Sequence, residues 1–337
     1  MPLEQLAQVM IPAVERELKE TIAMAGDSSL VGLQKMLSYH MGWETAGEKE
    51  VSSGKRIRPL LVLLTAASSG GEWEHALPAA AGVELIHNFS LIHDDIQDDS
   101  PMRRGRPALW VKWGLPHGIN AGDAIFTLAN LAMLRLEEVS NPMVTLHAAR
   151  VLHQTSLLLT QGQYLDLEYE KRDEISLDDY QPMIERKTAA LLSASTKLGP
   201  LVAGAGDRKT AYYGEFGRCL GLAFQIQDDL LGIWGDQAKT GKSNQSDLIT
   251  GKKSLPVLFG LAQNGEFARR WRRGSIQPDE LDRLADQLET EGAQRYAQER
   301  ASEFTQEALT ALQRAEPVGE AGQALHSLTL QLLGRED

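Results

Sequence analysis

Residues 3–24 carry Leu3, Leu6, Val9, Met10, Val14, Leu18 and Ile22, an apolar stripe at helical spacing. The same texture runs through nearly the whole chain. Ala, Leu, Glu and Gln dominate, and alternating Val-Thr-Tyr segments are almost absent, so there is little material for a sheet. Pro59 stands before an apolar run that reads as a buried helix. Pro78 takes the favoured first-turn place of a helix reaching to about Asp99. Further helices are expected over 118–138, 142–169 and 208–235. Ser176 is a suitable N-cap for a helix through Leu198, and 278–333 reads as two or three amphipathic helices.

The breaks are short. Ser68-Ser69-Gly70-Gly71 and the Pro101–Pro107 stretch are examples, and Gly235 to Gly251 is the longest irregular segment. No shift of composition marks a boundary and no tandem repeat appears. The expectation is an all-α chain, one domain over 1–337, built as a single large bundle of mostly antiparallel helices around one core. With 337 residues, 42% of them hydrophobic and 24% charged, such a core can be filled. The 34 basic residues against 46 acidic give a net charge of −12, which argues against a nucleic-acid binder. One cysteine, Cys219, rules out a disulfide within the chain and reads as a buried core residue. No run approaches the roughly 18 apolar residues of a membrane span. The first residues show no secretory pattern, so a cytoplasmic protein is expected.

Two acidic clusters carry the chemistry. Asp94-Asp95-Ile96-Gln97-Asp98-Asp99 ends a strongly apolar helix, with Asp94 and Asp98 spaced i, i+4 on one face. Like charges at that spacing repel, and the negative end of the helix dipole adds to the repulsion. Bound cations would relieve both, and carboxylate oxygens suit Mg²⁺. Asp228-Asp229 lies in an apolar frame from Phe224 to Trp234, where an uncompensated buried charge is costly. Cations gather in matching places: Lys55, Arg56 and Arg58 before a buried helix, then Arg103, Arg104 and Arg106 directly after the first aspartates. Lys187 sits mid-helix, and Lys242, Lys252 and Lys253 lie in or just after the long loop. Acidic and basic groups at helix ends describe a site for Mg²⁺ and more than one phosphate group.

These motifs resemble the trans-prenyl diphosphate synthases, or polyprenyl synthetases, from about Lys55 to Pro256. Gly54-Lys55-Arg56-Ile57-Arg58-Pro59 resembles the family's first basic loop. Leu91-Ile92-His93-Asp94-Asp95-Ile96-Gln97-Asp98 with Arg103-Arg104-Gly105 resembles its first aspartate-rich motif. Gly162-Gln163-Tyr164-Leu165-Asp166-Leu167, Lys187-Thr188-Ala189 and Phe224-Gln225-Ile226-Gln227-Asp228-Asp229 match later elements. Gly241-Lys242, Asp247-Leu248 and Lys252 follow in order.

The resemblance implies an isoprenoid synthase-like bundle with a central apolar pocket. It implies Mg²⁺-dependent condensation of isopentenyl diphosphate with an allylic diphosphate, with more than one ion per site. Asp94, Asp98 and Asp228 would be metal ligands, supported by Asp95 and Asp229. Arg103, Lys187, Lys242 and Lys252 would grip the allylic diphosphate between the aspartate clusters. Lys55, Arg58, His87 and Arg104 would hold isopentenyl diphosphate, and the oxygens of Thr188 and Gln225 would face the allylic cation. A homodimer is implied as well.

Gly232 departs from the pattern, standing where the second motif usually has a third aspartate; Asp236 is nearby at the wrong spacing. This motivates a non-catalytic partner subunit as one alternative; a terpene cyclase of the same fold, which would share an aspartate cluster but need not keep the Lys55/Arg58 site, is another. Glu84-Leu-Ile-His87 and Glu72-Trp-Glu-His75 also match the Glu-x-x-His of di-iron bundles, but they straddle Pro78 and explain none of the arginines. Product length is expected from Phe89 and Ser90, five and four residues before Asp94 and so roughly 7.5 and 6 Å deeper along the helix. In the resembled family an aromatic and a small residue at these places mark C20 products, with C15 the next expectation.

Overall fold

The computed structural model describes residues 2–43, 54–172, 174–235 and 246–334. In chain order the helices are α1 (Leu3–Ala23), α2 (Val31–Met41), α3 (Ile57–Ser68), α4 (Leu77–Gln97), α5 (Leu109–Trp113), α6 (Leu115–Leu134), α7 (Pro142–Lys171) and α8 (Leu177–Ile184). They continue as α9 (Ala190–Val202), α10 (Asp207–Trp234), α11 (Ser246–Thr250), α12 (Leu255–Ala262), α13 (Glu266–Trp271), α14 (Leu281–Thr290), α15 (Ala293–Arg314) and α16 (Gly319–Leu333). The all-α expectation holds, and among the described residues no helix is long and apolar enough to cross a membrane. The residues group into two compact units. One comprises Met1–Ser156, Ala194–Gly214 and Arg314–Ser327; the other comprises Leu157–Ser193, Glu215–Gln313 and Leu328–Asp337.

In the first unit α4 packs mainly along α6, with α3 and α1 also against it. Helix α3 is buried from Pro59 through Ala66, and a helix that is apolar all round belongs inside. Pro59 sits in its first turn, where a missing amide donor costs nothing. Helix α1 buries Leu6, Met10, Val14, Leu18 and Ile22, whereas Val9, which the stripe placed inward, is exposed. The proline-flanked break after α4 contains a small hairpin instead of plain loop. Met102–Arg103 pairs antiparallel with Arg106–Pro107. Arg104 and Gly105 both have positive φ, 52° and 74°, as a two-residue turn of the tightest hairpin type requires.

The second unit has a core of Ile233, Leu248, Val257, Phe267, Leu284 and Leu288. Ser176 caps α8 through a full capping box with Asp179. The helix expected from Ser176 to Leu198 is interrupted by one π turn, Glu185–Ala189, before α9 resumes. Such a turn holds one residue more than the α-ladder allows and is frequent at functional sites. Cys219 is buried as expected, and burial pushes its thiol up to about 12, so it stays protonated.

Candidate active site

The end of α4 presents Asp94, half-buried, and Asp98, exposed, on one face. Asp95 is one residue, and so about 100°, off that face. It is only 2% exposed, and Arg103 holds both of its oxygens, with Nε at 2.9 and 3.0 Å and Nη2 at 2.5 Å. The chain turns just past α4, where Asp99 has a φ of 47° and the Ser100 amide donates to the Asp95 carbonyl at 2.9 Å, and this leaves the Arg103 guanidinium, on the first hairpin strand, at the negative end of the helix. Arg103 is therefore engaged by Asp95, a partner that the motif alone does not reveal.

Of the three cations in the basic loop, Arg56 is structural. It is buried and pairs with Glu84 and Glu15, each at 2.6 Å. Its φ of 47° turns the backbone sharply into α3. Arg58 also reaches α4 and lies 3.3 Å from His87 Nε2. Burial, and then the charges of Arg58, Arg104 and Arg103, hold the His87 imidazole well below its ordinary range, so it is neutral near pH 7. Arg104 donates to the His40 carbonyl at 3.4 Å, and Lys55 is exposed. Burial, and then the neighbouring Arg56 charge, lower the Arg104 pKa, as expected where cations crowd together before an anion binds. Phe89 and Ser90 are both half-buried on α4. The Phe89 ring lies 5.0 Å from Phe126 of α6 and 4.8 Å from His93.

In the second unit, Asp166, Lys187, Thr188, Gln225, Asp228 and Lys252 line one cavity. Gly162 explains part of its construction. A Cβ at Gly162 would lie 2.3 Å from the Lys187 amide nitrogen, so α7 can approach the π turn this closely only with glycine there. One turn further along α7, Asp166 forms an ion pair with Lys187. Thr188 Oγ1 donates to Gln225 Oε1 at 2.7 Å, and Gln225 Nε2 donates to Asp229 at 3.0 Å. The Thr188 and Gln225 oxygens thus meet each other.

Asp229, 1% exposed, is the hub. It also accepts from the Tyr180 hydroxyl at 2.5 Å, the Leu255 amide at 3.0 Å and Lys252 Nζ at 3.5 Å. Four donors offset the cost of burying its charge. Burial and the Asp229 charge push the Tyr180 phenol well above its usual range, so it remains a donor. The carboxylates of Asp229 and then Asp247 keep Lys252 charged. Tyr180 was not legible as a site residue; it precedes the π turn with no motif of its own. Lys242, expected at the allylic diphosphate, lies outside the described residues, as does Asp236. The candidate ligands Asp94 and Asp98 of the first unit and Asp228 of the second all offer carboxylate oxygens, the ligand chemistry Mg²⁺ takes, and each set has cations near it that suit phosphate.

A family model described as polyprenyl synthetase matches residues 43–287. The chain belongs to the polyprenyl synthetase family, which is a family of prenyltransferases. It is 40% identical over 275 residues to a (2E,6E)-farnesyl diphosphate synthase of Mycobacterium tuberculosis, covering 79% of this chain and 76% of that protein. It is 37% identical over 314 residues to a geranylgeranyl diphosphate synthase of the same organism, covering 91% and 89%. Among solved structures, a polyprenyl synthetase from Streptomyces coelicolor A3(2) superposes with a TM-score of 0.88 at 32% identity, covering 98% of both chains. A geranylgeranyl pyrophosphate synthetase from Pyrococcus horikoshii gives 0.87 at 31%, covering 99% of both.

Proposed function

We propose that this chain condenses isopentenyl diphosphate with an allylic diphosphate, head to tail, to a trans-polyprenyl diphosphate, with the C20 product preferred over C15. The observation that carries the reading is the cavity in which Asp228 stands with Lys187 and Lys252. A carboxylate for a metal and ammonium groups for phosphate oxygens share that lining, and none of these residues is a nucleophile that needs activating. The relatives named farnesyl and geranylgeranyl diphosphate synthases support both the substrate class and the C15 to C20 range.

Asp94, Asp98 and Asp228 would hold Mg²⁺. When bound, the metal stabilises the negative charge that develops on the departing diphosphate. Asp95 and Asp229 hold neighbouring cations in register through Arg103 and Lys252. Lys187, Lys252 and Lys242 are assigned to the allylic diphosphate, and Arg103 joins them if it exchanges Asp95 for substrate. Lys55, Arg58, His87 and Arg104 are assigned to isopentenyl diphosphate. The neutral His87 offers a hydrogen bond without adding to the repulsion among the arginines. The proton lost at the end of the condensation goes to the released diphosphate. Phe89, backed by Phe126, is the proposed floor for the growing tail. Treating 1–337 as one functional domain is supported by a family match that draws on residues of both units. A homodimer in the cytoplasm completes the proposal.

The test is chromatography of products from isopentenyl diphosphate with C5, C10 and C15 primers. Turnover with C20 as the main product is expected. No turnover from the purified chain would favour the partner-subunit reading that Gly232 motivates, and cyclic hydrocarbon products would favour a cyclase.

A further inference from the structure

Lys253 follows Lys252 directly in the chain and lines the same cavity. Lys252 Nζ lies 3.5 Å from Asp229 on α10, whereas Lys253 Nζ reaches the carboxyl-terminal end of α7. It donates to the Tyr169 carbonyl at 2.6 Å, to the Glu170 carbonyl at 3.4 Å and to the Arg172 carbonyl. Carbonyls in the last turn of a helix have no partner within it, and a helix of 30 residues gathers partial negative charge there. The cations local to that end are engaged with side chains. Lys171 pairs with Glu168 at 3.0 Å, and the Arg172 guanidinium lies 5.4 Å from the centre of the Tyr169 ring. The cap of α7 thus comes from a lysine 84 positions beyond Tyr169. That end of α7 belongs to the site: Tyr169 and Glu170 line the cavity, and Asp166, the partner of Lys187, is one turn earlier.

The short segment 252–255 is tied down on several sides. The Lys252 amide donates to the Asp247 carbonyl at 2.9 Å, and the Leu255 amide donates to Asp229 at 3.0 Å. Those bonds hold it to α11 and α10, and Lys253 supplies the hold on α7. The Lys252 side chain is 44% exposed, so packing does little to fix it, and its direction depends on where its backbone is held. We infer that Lys253 is a positioning residue of the diphosphate site: by capping α7 it fixes the segment that carries Lys252, so that the Lys252 ammonium faces the cavity beside Asp228 and Asp229. The inference rests on the proposed function for the identity of the ligand. Lys253 itself touches main-chain oxygens and acts through its neighbour. Of two adjacent lysines, one is for the ligand and the other for the scaffold.

The experiment measures binding of inorganic diphosphate to the full chain in the presence of Mg²⁺ by titration calorimetry, with thermal unfolding alongside. Lys253→Met keeps the length of the side chain and removes its charge and donors; it should weaken binding by about tenfold, as loss of a supporting partner does. Lys253→Arg keeps charge and donors and should recover most of the affinity. In a Lys252→Met background, adding Lys253→Met should cost about twofold or less, because the group it positions is already gone. Should Lys253→Met not fold, Lys253→Gln carries the same comparisons. Native affinity in a folded Lys253→Met variant, even at a lowered melting temperature, would overturn the inference and leave Lys253 as a helix cap only. An equal loss in both backgrounds would overturn it too, and would make Lys253 a direct phosphate contact. So would a Lys253→Arg variant no better than Lys253→Met, or a native chain that binds no diphosphate. Because no isopentenyl diphosphate is used, a native chain that binds diphosphate but turns over no substrate would refute the prenyl-synthase reading alone.

Discussion

Replacing Phe89 by alanine isolates the proposed floor of the product pocket. The ring lies about one and a half helical turns before Asp94 and contacts Phe126 and His93 at 5.0 and 4.8 Å. A tightly buried phenylalanine costs roughly 3–5 kcal/mol on truncation, and this half-buried ring should cost about 2–3 kcal/mol. Much of that loss is the ring packing, tilted against Phe126 and edge-on to His93, at about 0.5–1.5 kcal/mol each. The space left is apolar on its Phe126 side, so a longer isoprenoid tail can fill it and restore part of the stability as bound product. The assay pairs thermal unfolding, with and without product, with chromatography of chain length. Products longer than C20 are expected, with turnover retained. Ser90→Phe places a second ring one residue nearer the metal end and should shift products towards C15. General destabilisation cannot move product length in opposite directions. If both variants are folded and active with the native product distribution, the floor lies elsewhere and the argument fails.

Asp94→Ala and Asp228→Ala should each lower kcat by about 10³-fold or more while circular dichroism stays native, because both remove charge from sites that already repel like charge. Near-native turnover in either variant would end the metal assignment. Tyr180→Phe takes one donor from buried Asp229 and should cost about 1–3 kcal/mol in denaturant unfolding; unchanged stability would mean the other three donors suffice. The pH dependence follows from His87 and His40, both held well below the ordinary value of 6.5 by burial and then by nearby cations. The unfolded chain takes up these protons as pH falls through 6.5 and the folded chain does not, so stability should drop between about pH 7.5 and pH 5.5. His40→Asn should flatten that slope; an equally steep profile in the variant would exclude His40 as a source.

Much of the fold is written locally. The apolar run of α3, the proline-started α4 and the Ser176 cap were legible because periodicity and capping act within one or two turns. The helix-end aspartates were legible for the same reason, since i, i+4 spacing fixes a shared face. What stayed hidden depends on segments distant in sequence. Nothing around Asp229 announces Tyr180, which is 49 positions away, and nothing around Asp95 shows that Arg103 will face it instead of solvent. The Pro101–Pro107 break reads as loop because two-residue strands carry no period to detect. The π turn is invisible for a related reason: helical patterning on both sides is intact, and only the phase between them changes.

That change of phase bears on how the protein can vary. One surplus residue in Glu185–Ala189 rotates everything after it by about 100° relative to an uninterrupted helix. Deleting a single residue there would give a more regular helix, and by local criteria a more stable one. The same deletion would swing the Lys187-Thr188 pair relative to α9, away from Asp166, Gln225 or both. Substitutions along this helix can accumulate gradually, whereas its length cannot change by one without losing the cavity lining in a single step. The segment is therefore a place where a regular helix and an intact cavity lining make opposite demands, and where insertions and deletions should be far rarer than point changes.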